Sequence, residues 1–234
     1  MRISLEKTTN VMMIVSSVAV VTMCAFIVIR PRDQRPVRAE QKVLVEPANT
    51  TISLDTLASA GNPDAKIGLV EFVDFECAYC VDFARDLFSR FKSEFVDPGS
   101  VRFYWAHSPG EAIHKKAFRA AEAALCADLQ DKSLQMFTRL FEAPARLDAA
   151  DLFDHASAIG LEGRLFKSCM DQGKADVVRR HIERGINAGV RGTPTFFLGT
   201  IDPDGTLTAA QKISGLPAYV GLSNLVKHHM SQKQ

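Results

Sequence analysis

The chain has 234 residues, with 28 Lys and Arg against 27 Asp and Glu, for a formal charge of +1. Its 47% hydrophobic and 24% charged content is that of a globular protein, and so even a balance excludes a dedicated nucleic-acid binder, which needs a basic excess to release counterions. Five cysteines are too few for a small disulfide-stapled scaffold, and the length is ample for one or two domains with a full core.

A short tail, residues 1–10, precedes Val11 to Ile29, nineteen residues without a charge. At about 1.5 Å rise per residue this run approaches the roughly 30 Å hydrocarbon layer. It ends at Val28-Ile29-Arg30 without an Ala-x-Ala site, so an uncleaved signal anchor is expected ahead of a cleaved signal peptide or a buried soluble helix. Arg30, Arg32, Arg35 and Arg38 outnumber Arg2 and Lys7, and the positive-inside rule taken alone would keep the following domain in the cytoplasm. Residues 30–50, rich in Pro, Arg, Glu and Gln, read as an extended linker. Asn49-Thr50-Thr51 matches a glycosylation sequon and reads as a plain turn.

The globular part is expected over 51–230. Lys66 to Asp74 has the β-branched, apolar character of a buried strand. Val81 to Phe95 places Phe83, Leu87, Phe88, Phe91 and Phe95 on one helix face. Val101 to Trp105 is a second short strand. Helical periodicity then runs from Ala112 to Ala188, with breaks near Asp131, at Ala143-Pro144, at Gly160 and at Gly173. Thr195 to Leu198 and Leu207 to Ile213 are strands around the turn Asp202-Pro203-Asp204-Gly205. Pro217 to Met230 is a last helix, with Pro217 in its first turn. The order is α/β, with an all-helical block between a βαβ half and a ββα half.

Cys77-Ala78-Tyr79-Cys80 lies where the first strand gives way to the first helix. Unpaired amides and the helix dipole there favour a thiolate at Cys77, and Cys80 is one turn further in, within reach of a disulfide. Redox chemistry is the leading reading. Half of a zinc site and an inert thiol pair are the alternatives, but no second Cys-x-x-Cys or His-x-x-x-His completes four ligands.

Gly61-Asn62-Pro63-Asp64-Ala65 and Val70-Glu71-Phe72-Val73-Asp74-Phe75-Glu76-Cys77-Ala78-Tyr79-Cys80, followed by Gly189-Val190-Arg191-Gly192-Thr193-Pro194-Thr195-Phe196-Phe197, resemble the DsbA family of thioredoxin-fold thiol–disulfide oxidoreductases. The resemblance covers roughly 51–230. It implies a thioredoxin-like fold with an inserted helical domain at about 112–189, behind the membrane-anchor helix. It implies that Cys77 is the nucleophile and Cys80 its partner. A buried acid at Glu71 would handle the proton of Cys80. A cis-proline loop at Thr193-Pro194, together with Ala78 and Tyr79, would meet the client chain. Client proteins with cysteine thiols are the implied partners, with a quinone-linked membrane protein for re-oxidation and no metal or organic cofactor.

Two departures bear on direction. Ala78-Tyr79 stands where the most oxidising relatives carry Pro-His, so Cys77 should be less acidic and its disulfide less oxidising. The anchor ties this chain to a membrane, and the expected location is the inner membrane, single-pass, with the catalytic domain on the periplasmic side. No dimerisation domain is read ahead of the fold, which favours an oxidase over a reductase or isomerase. A copper-binding module using Cys77 and Cys80 is a reading of another class. Some resembling proteins carry a second cysteine pair, and Cys126 with Cys169 is expected to form a structural disulfide here; two buried unpaired thiols are the alternative. Cys24 is apolar filler of the span. Glu76 reads as surface charge, His107 and His114 as solvated loop histidines, and Trp105 as core.

Overall fold

Residues 43–232 are described by the computed structural model. The expected tail, the anchor Val11–Ile29 with Cys24, and the first part of the linker lie outside the described residues. Among the described residues no helix is long and apolar enough to cross a membrane.

The remainder of the expected linker is not an extended tether. Leu44–Ser53 forms a ten-residue strand, β1, so strand structure is already present ahead of the expected start at 51. The β-branched run Thr50-Thr51-Ile52 suits a strand. Pro47 is accommodated because β1 is an edge strand and its register shifts between Pro47 and Thr50. Asn49 therefore sits at an irregularity within a strand, not in a plain turn.

Two more strands complete the first half: Ala58–Ala60 (β2) and Ile67–Val73 (β3). The helical run that follows, α1, is Ala78–Asp82, a π-turn at Phe83–Leu87, Phe88–Phe91 and a second π-turn at Lys92–Val96. The next strand, Val101–His107 (β4), runs two residues beyond Trp105. The helical block resolves into Ala117–Asp128 (α2), Ser133–Glu142 (α3), Ala149–Ala158 (α4), Gly163–Gln172 (α5) and Ala175–Asn187 (α6), with breaks where Asp131, Pro144, Gly160 and Gly173 place them. Residues 112–116 are loop, not helix. Thr195–Ile201 (β5), Thr206–Ser214 (β6) and Tyr219–Ser231 (α7) close the chain. The cap of α7 is Ala218, so Pro217 precedes the helix rather than opening its first turn.

The six strands lie in the order β1-β6-β5-β3-β4-β2. β3 is central, parallel to β4 and antiparallel to β5, and all seven of its residues are buried. Ile67, Leu69 and Val73 face the larger core, shared with α1 and the helical block, whereas Val70 and Phe72 face a smaller one. Aromatic rings join the sheet to the block: Phe137 of α3 packs on Trp105 at 4.9 Å, and Phe141 on Phe75 at 4.8 Å.

Two ties hold the block together. Cys126 of α2 is disulfide-bonded to Cys169 of α5, with Cα atoms 5.7 Å apart. One turn earlier on α2, the buried Glu122 accepts from Arg119 and from the Lys174 amide, both at 2.7 Å. The bridge closes a 43-residue loop, worth about 4 kcal/mol in the chain-entropy picture. Replacing both cysteines with Ala should cost up to about that amount in urea unfolding followed by far-UV circular dichroism. A loss under about 1 kcal/mol would mean that Glu122 and helix packing carry the block unaided.

Candidate active site

The site is built from the turn that joins β3 to α1. Cys77 N–H donates to the Asp74 carbonyl at 3.1 Å and Glu76 N–H to Asp74 Oδ1 at 2.8 Å, so the chain reverses into the helix within four residues. Cys77 is the helix N-cap, and its carbonyl takes the Val81 amide at 3.0 Å. From the other side, the loop between α6 and β5 carries a cis Thr193-Pro194 bond. That loop is pinned where the Pro194 carbonyl takes the Gly215 amide at 2.9 Å and Thr195 Oγ1 donates to the Gly192 carbonyl at 2.7 Å. It brings the Thr193 carbonyl to 3.2 Å from Cys77 Sγ, across 116 residues of chain.

The two thiols, both reduced here, differ in every physical respect. Cys77 is 7% exposed and Cys80 is fully buried. The Cys77 thiol is lowered to about 6, chiefly because the Cys80 thiol donates to it. The Thr193 side chain and the amides of Cys80 and Tyr79 assist, against the opposing effect of burial. Cys80 is pushed well up by burial first, then by its hydrogen bond to Cys77 and by the charges of Cys77 and Glu71. One sulfur is an anion at neutral pH and the other holds its proton.

Glu71 lies beneath them on β3. It is fully buried, and neither carboxyl oxygen has a hydrogen-bond partner among the described residues. Its cross-strand neighbours are Trp105 on β4 and Phe196 on β5. Burial, and then the charge of Cys77, raise its carboxyl well above the ordinary range. Trp105 Nε1 is likewise unpartnered among the described residues. A carboxyl whose proton is held more tightly than usual, near a buried thiol, can exchange that proton with it. Ala78 and Tyr79 occupy the first turn of α1, half-buried at the mouth of the site.

Two expectations from sequence require correction. Glu76 is not idle surface charge: its Oε2 accepts the Lys116 and Ala117 amides at 2.6 and 2.8 Å, capping α2 from forty residues away. His107 is not a solvated loop residue, because β4 extends to include it. It is buried against Phe75 and the His181 ring, and burial, followed by the nearby His181, pulls it well below the ordinary histidine range. Sequence reasoning also passed over Asp74. This buried side chain accepts from the Gly110 amide and from His114 Nδ1, each at 2.7 Å, and its place just past an apolar strand was the available signal.

Two consequences are measurable. Reduced protein should react with iodoacetamide at Cys77 with a midpoint near pH 6, while Cys80 stays unlabelled; a midpoint near about 8.5, that of an ordinary thiol, would contradict the asymmetry. Glu71→Gln removes a carboxyl whose folded value is raised. The native carboxyl weakens the fold progressively as pH climbs from the unfolded value of about 4.3 towards the folded one. The variant should therefore gain stability over wild type at pH 8 and little at pH 4, read from urea midpoints.

The thioredoxin family profile matches residues 54–212. Among relatives in sequence, the Na(+)/H(+) antiporter NhaA 1 of Mycobacterium sp. (strain KMS) is 32% identical over 161 residues, covering 68% of this chain but 26% of the antiporter. The chain thus spans about a quarter of the length of such relatives. Among solved structures, BdbD from Bacillus subtilis superposes with a TM-score of 0.66 at 19% identity, over 80% of this chain and 99% of that one. Wolbachia pipientis alpha-DsbA1 superposes with a TM-score of 0.65 at 20% identity, over 77% and 94%. With the dithiol at a helix start, the cis-proline opposite and the helical insertion, the chain belongs to the thioredoxin family, with the DsbA-like form of the fold.

Proposed function

We propose that the protein is a disulfide oxidase for exported proteins, working through Cys77 and Cys80. The observation that carries this is the opposition between the thiols: Cys77 at about 6 is a stable thiolate, whereas Cys80 is raised and buried. A stabilised thiolate lowers the energy of the reduced enzyme and so makes its disulfide a better oxidant.

In the oxidised enzyme a client thiolate attacks Cys77 Sγ, forming a client–Cys77 bond and breaking the Cys77–Cys80 bond. Cys80 leaves as a thiolate and takes up a proton, for which the Glu71 carboxylic acid below it is the donor. A second client thiolate then attacks the client sulfur of the mixed disulfide, and Cys77 leaves as a thiolate. Two electrons have passed to the enzyme, and the client holds a new disulfide. The cis-proline loop beside Cys77 offers the Thr193 backbone to an extended client chain, with Ala78 and Tyr79 at the opposite rim.

Re-oxidation calls for an electron acceptor, and a quinone-linked membrane protein fits a chain anchored through Val11 to Ile29. The Cys126–Cys169 bridge supports an extracytoplasmic, periplasm-facing location against the arginines at 30–38, because such bonds persist outside the reducing cytosol. Ala78-Tyr79 in place of Pro-His favours the second reading, a reductase or isomerase kept reduced by a membrane donor.

Equilibration with glutathione separates the two. A potential towards about −120 mV is expected, and one near about −270 mV would overturn the oxidase. Cys80→Ala should trap client adducts on Cys77 in non-reducing gels, and Cys77→Ser should trap none.

A further inference from the structure

The most negative stretch of the site is the turn that delivers the thiolate. Asp74 and Glu76 lie three and one residues before Cys77, and both side chains point back into the protein rather than into bulk water. Two carboxylates so near a sulfur anion oppose its formation unless something offsets them. The sequence carries no histidine between the cysteines to do so.

The offset comes from the loop after β4. Residues 108–117 are stitched onto the turn by four hydrogen bonds: Gly110 N–H and His114 Nδ1 reach Asp74 Oδ2, and the Lys116 and Ala117 amides reach Glu76 Oε2. The amides are dipoles without net charge, and the α2 N-terminus beyond them partly compensates Glu76. At Asp74, the basic side chain that makes contact is His114. The loop's other bases are turned elsewhere: Lys115 Nζ donates to the Glu111 carbonyl at 2.9 Å, and Lys116 Nζ pairs with Asp148 at 2.8 Å. His114 is 24% exposed against 1% for the Asp74 side chain, so it can exchange protons with solvent while its partner cannot easily be screened.

We propose that His114, held by Asp74, is the positioning residue that supplies the positive charge supporting the Cys77 thiolate, from a different loop than the dipeptide between the cysteines. This deepens the reading of Cys77 as the nucleophile and rests on it. His114 faces Asp74, Glu76 and Cys77; against the opposing effect of burial its imidazole is raised from the ordinary value, first by its hydrogen bond to Asp74 and then by the charges of Asp74, Glu76 and Cys77. The support is present while the imidazolium exists, below the raised histidine value, and fades as pH rises through it. Between that value and about 6, where Cys77 ionises, imidazolium and thiolate coexist. The coupling is reciprocal: whatever His114 does for the thiolate, the thiolate does for His114. Oxidation removes the anion, so forming the disulfide should loosen the proton on His114.

Two measurements test this. The first uses the unaltered protein: the His114 ring titration, followed by NMR in the reduced and the disulfide forms, should move down on oxidation by about half a pH unit or more, roughly threefold in the proton affinity. The second follows the pH midpoint of Cys77 alkylation. His114→Gln should raise it by a similar amount and His114→Lys should leave it near wild type, because charge and not shape is what Cys77 feels. An unmoved His114 titration on oxidation, an unchanged midpoint in His114→Gln, or His114→Lys behaving like His114→Gln would each overturn the proposal. A wild-type Cys77 with no midpoint near 6 would instead overturn the nucleophile assignment beneath it, so the two failures are distinguishable.

Discussion

The active site depends on a chain that must leave a fully buried strand and start a helix within four residues. β3 is hydrogen-bonded on both sides and buried on both faces, so its end cannot drift. Each residue of the turn then has one direction available. Asp74 folds inward and takes the Glu76 amide, Phe75 fills the aromatic cluster against Phe141, and Glu76 reaches the start of α2. Cys77 is left at the helix cap, its sulfur among free amides. There the Cys80 thiol one turn on donates to it, and the backbone amides of Cys80 and Tyr79 add to the acidification. The same turn thus fixes the nucleophile, anchors the helical block and caps its first helix.

What distinguishes Cys77 from Cys80 is depth, since their intrinsic chemistry is identical. One helical turn carries the second sulfur out of reach of solvent and over a carboxyl that is itself desolvated. A buried carboxyl with no hydrogen-bond partner among the described residues is a standing cost to stability, and a fold under no functional demand would be better served by Leu at 71. The opposite tendency acts on Cys77, where hydrogen bonds favour the anion more strongly than burial opposes it. Charge separation between two sulfurs joined by a single turn of helix is therefore produced by the boundary between core and surface, and any shift of α1 along its axis would erode it.

Much of this was legible in the sequence, and the parts that were not share a reason. Pro144, Gly160 and Gly173 end helices through local chemistry, so the breaks in the helical block could be read directly. The strand at Ile67–Val73 announced itself by an unbroken apolar run, and Glu71 stood out within it. By contrast, β1 carries Pro47 and Asn49 and packs only one side, so its pattern resembled a linker; it becomes a strand because β6 offers it an edge. The roles of Glu76 and Asp74 were invisible for a related reason, since their partners at 110–117 are brought to them by the parallel pairing of β3 with β4. His107 was misplaced by ending β4 at Trp105, although the register with Val73 carries it two residues deeper.

The helical block is more than a lid carried by the sheet. Phe137 and Phe141 of α3 complete the packing around Trp105 and Phe75. Phe75 lies two residues before Cys77, and Trp105 is beside Glu71 in the sheet. The rings packed behind the turn and behind Trp105 therefore come from the insertion. In turn, the insertion keeps α2 and α5 together through the Cys126–Cys169 bond and the Glu122 contacts. The chain of dependence runs from a structural disulfide, through α2 and α3, to the aromatic wall of a reactive dithiol. Opening the Cys126–Cys169 bond would loosen the surroundings that set the acidity of Cys77, and that bond is itself sheltered from solvent, with Cys126 only 1% exposed.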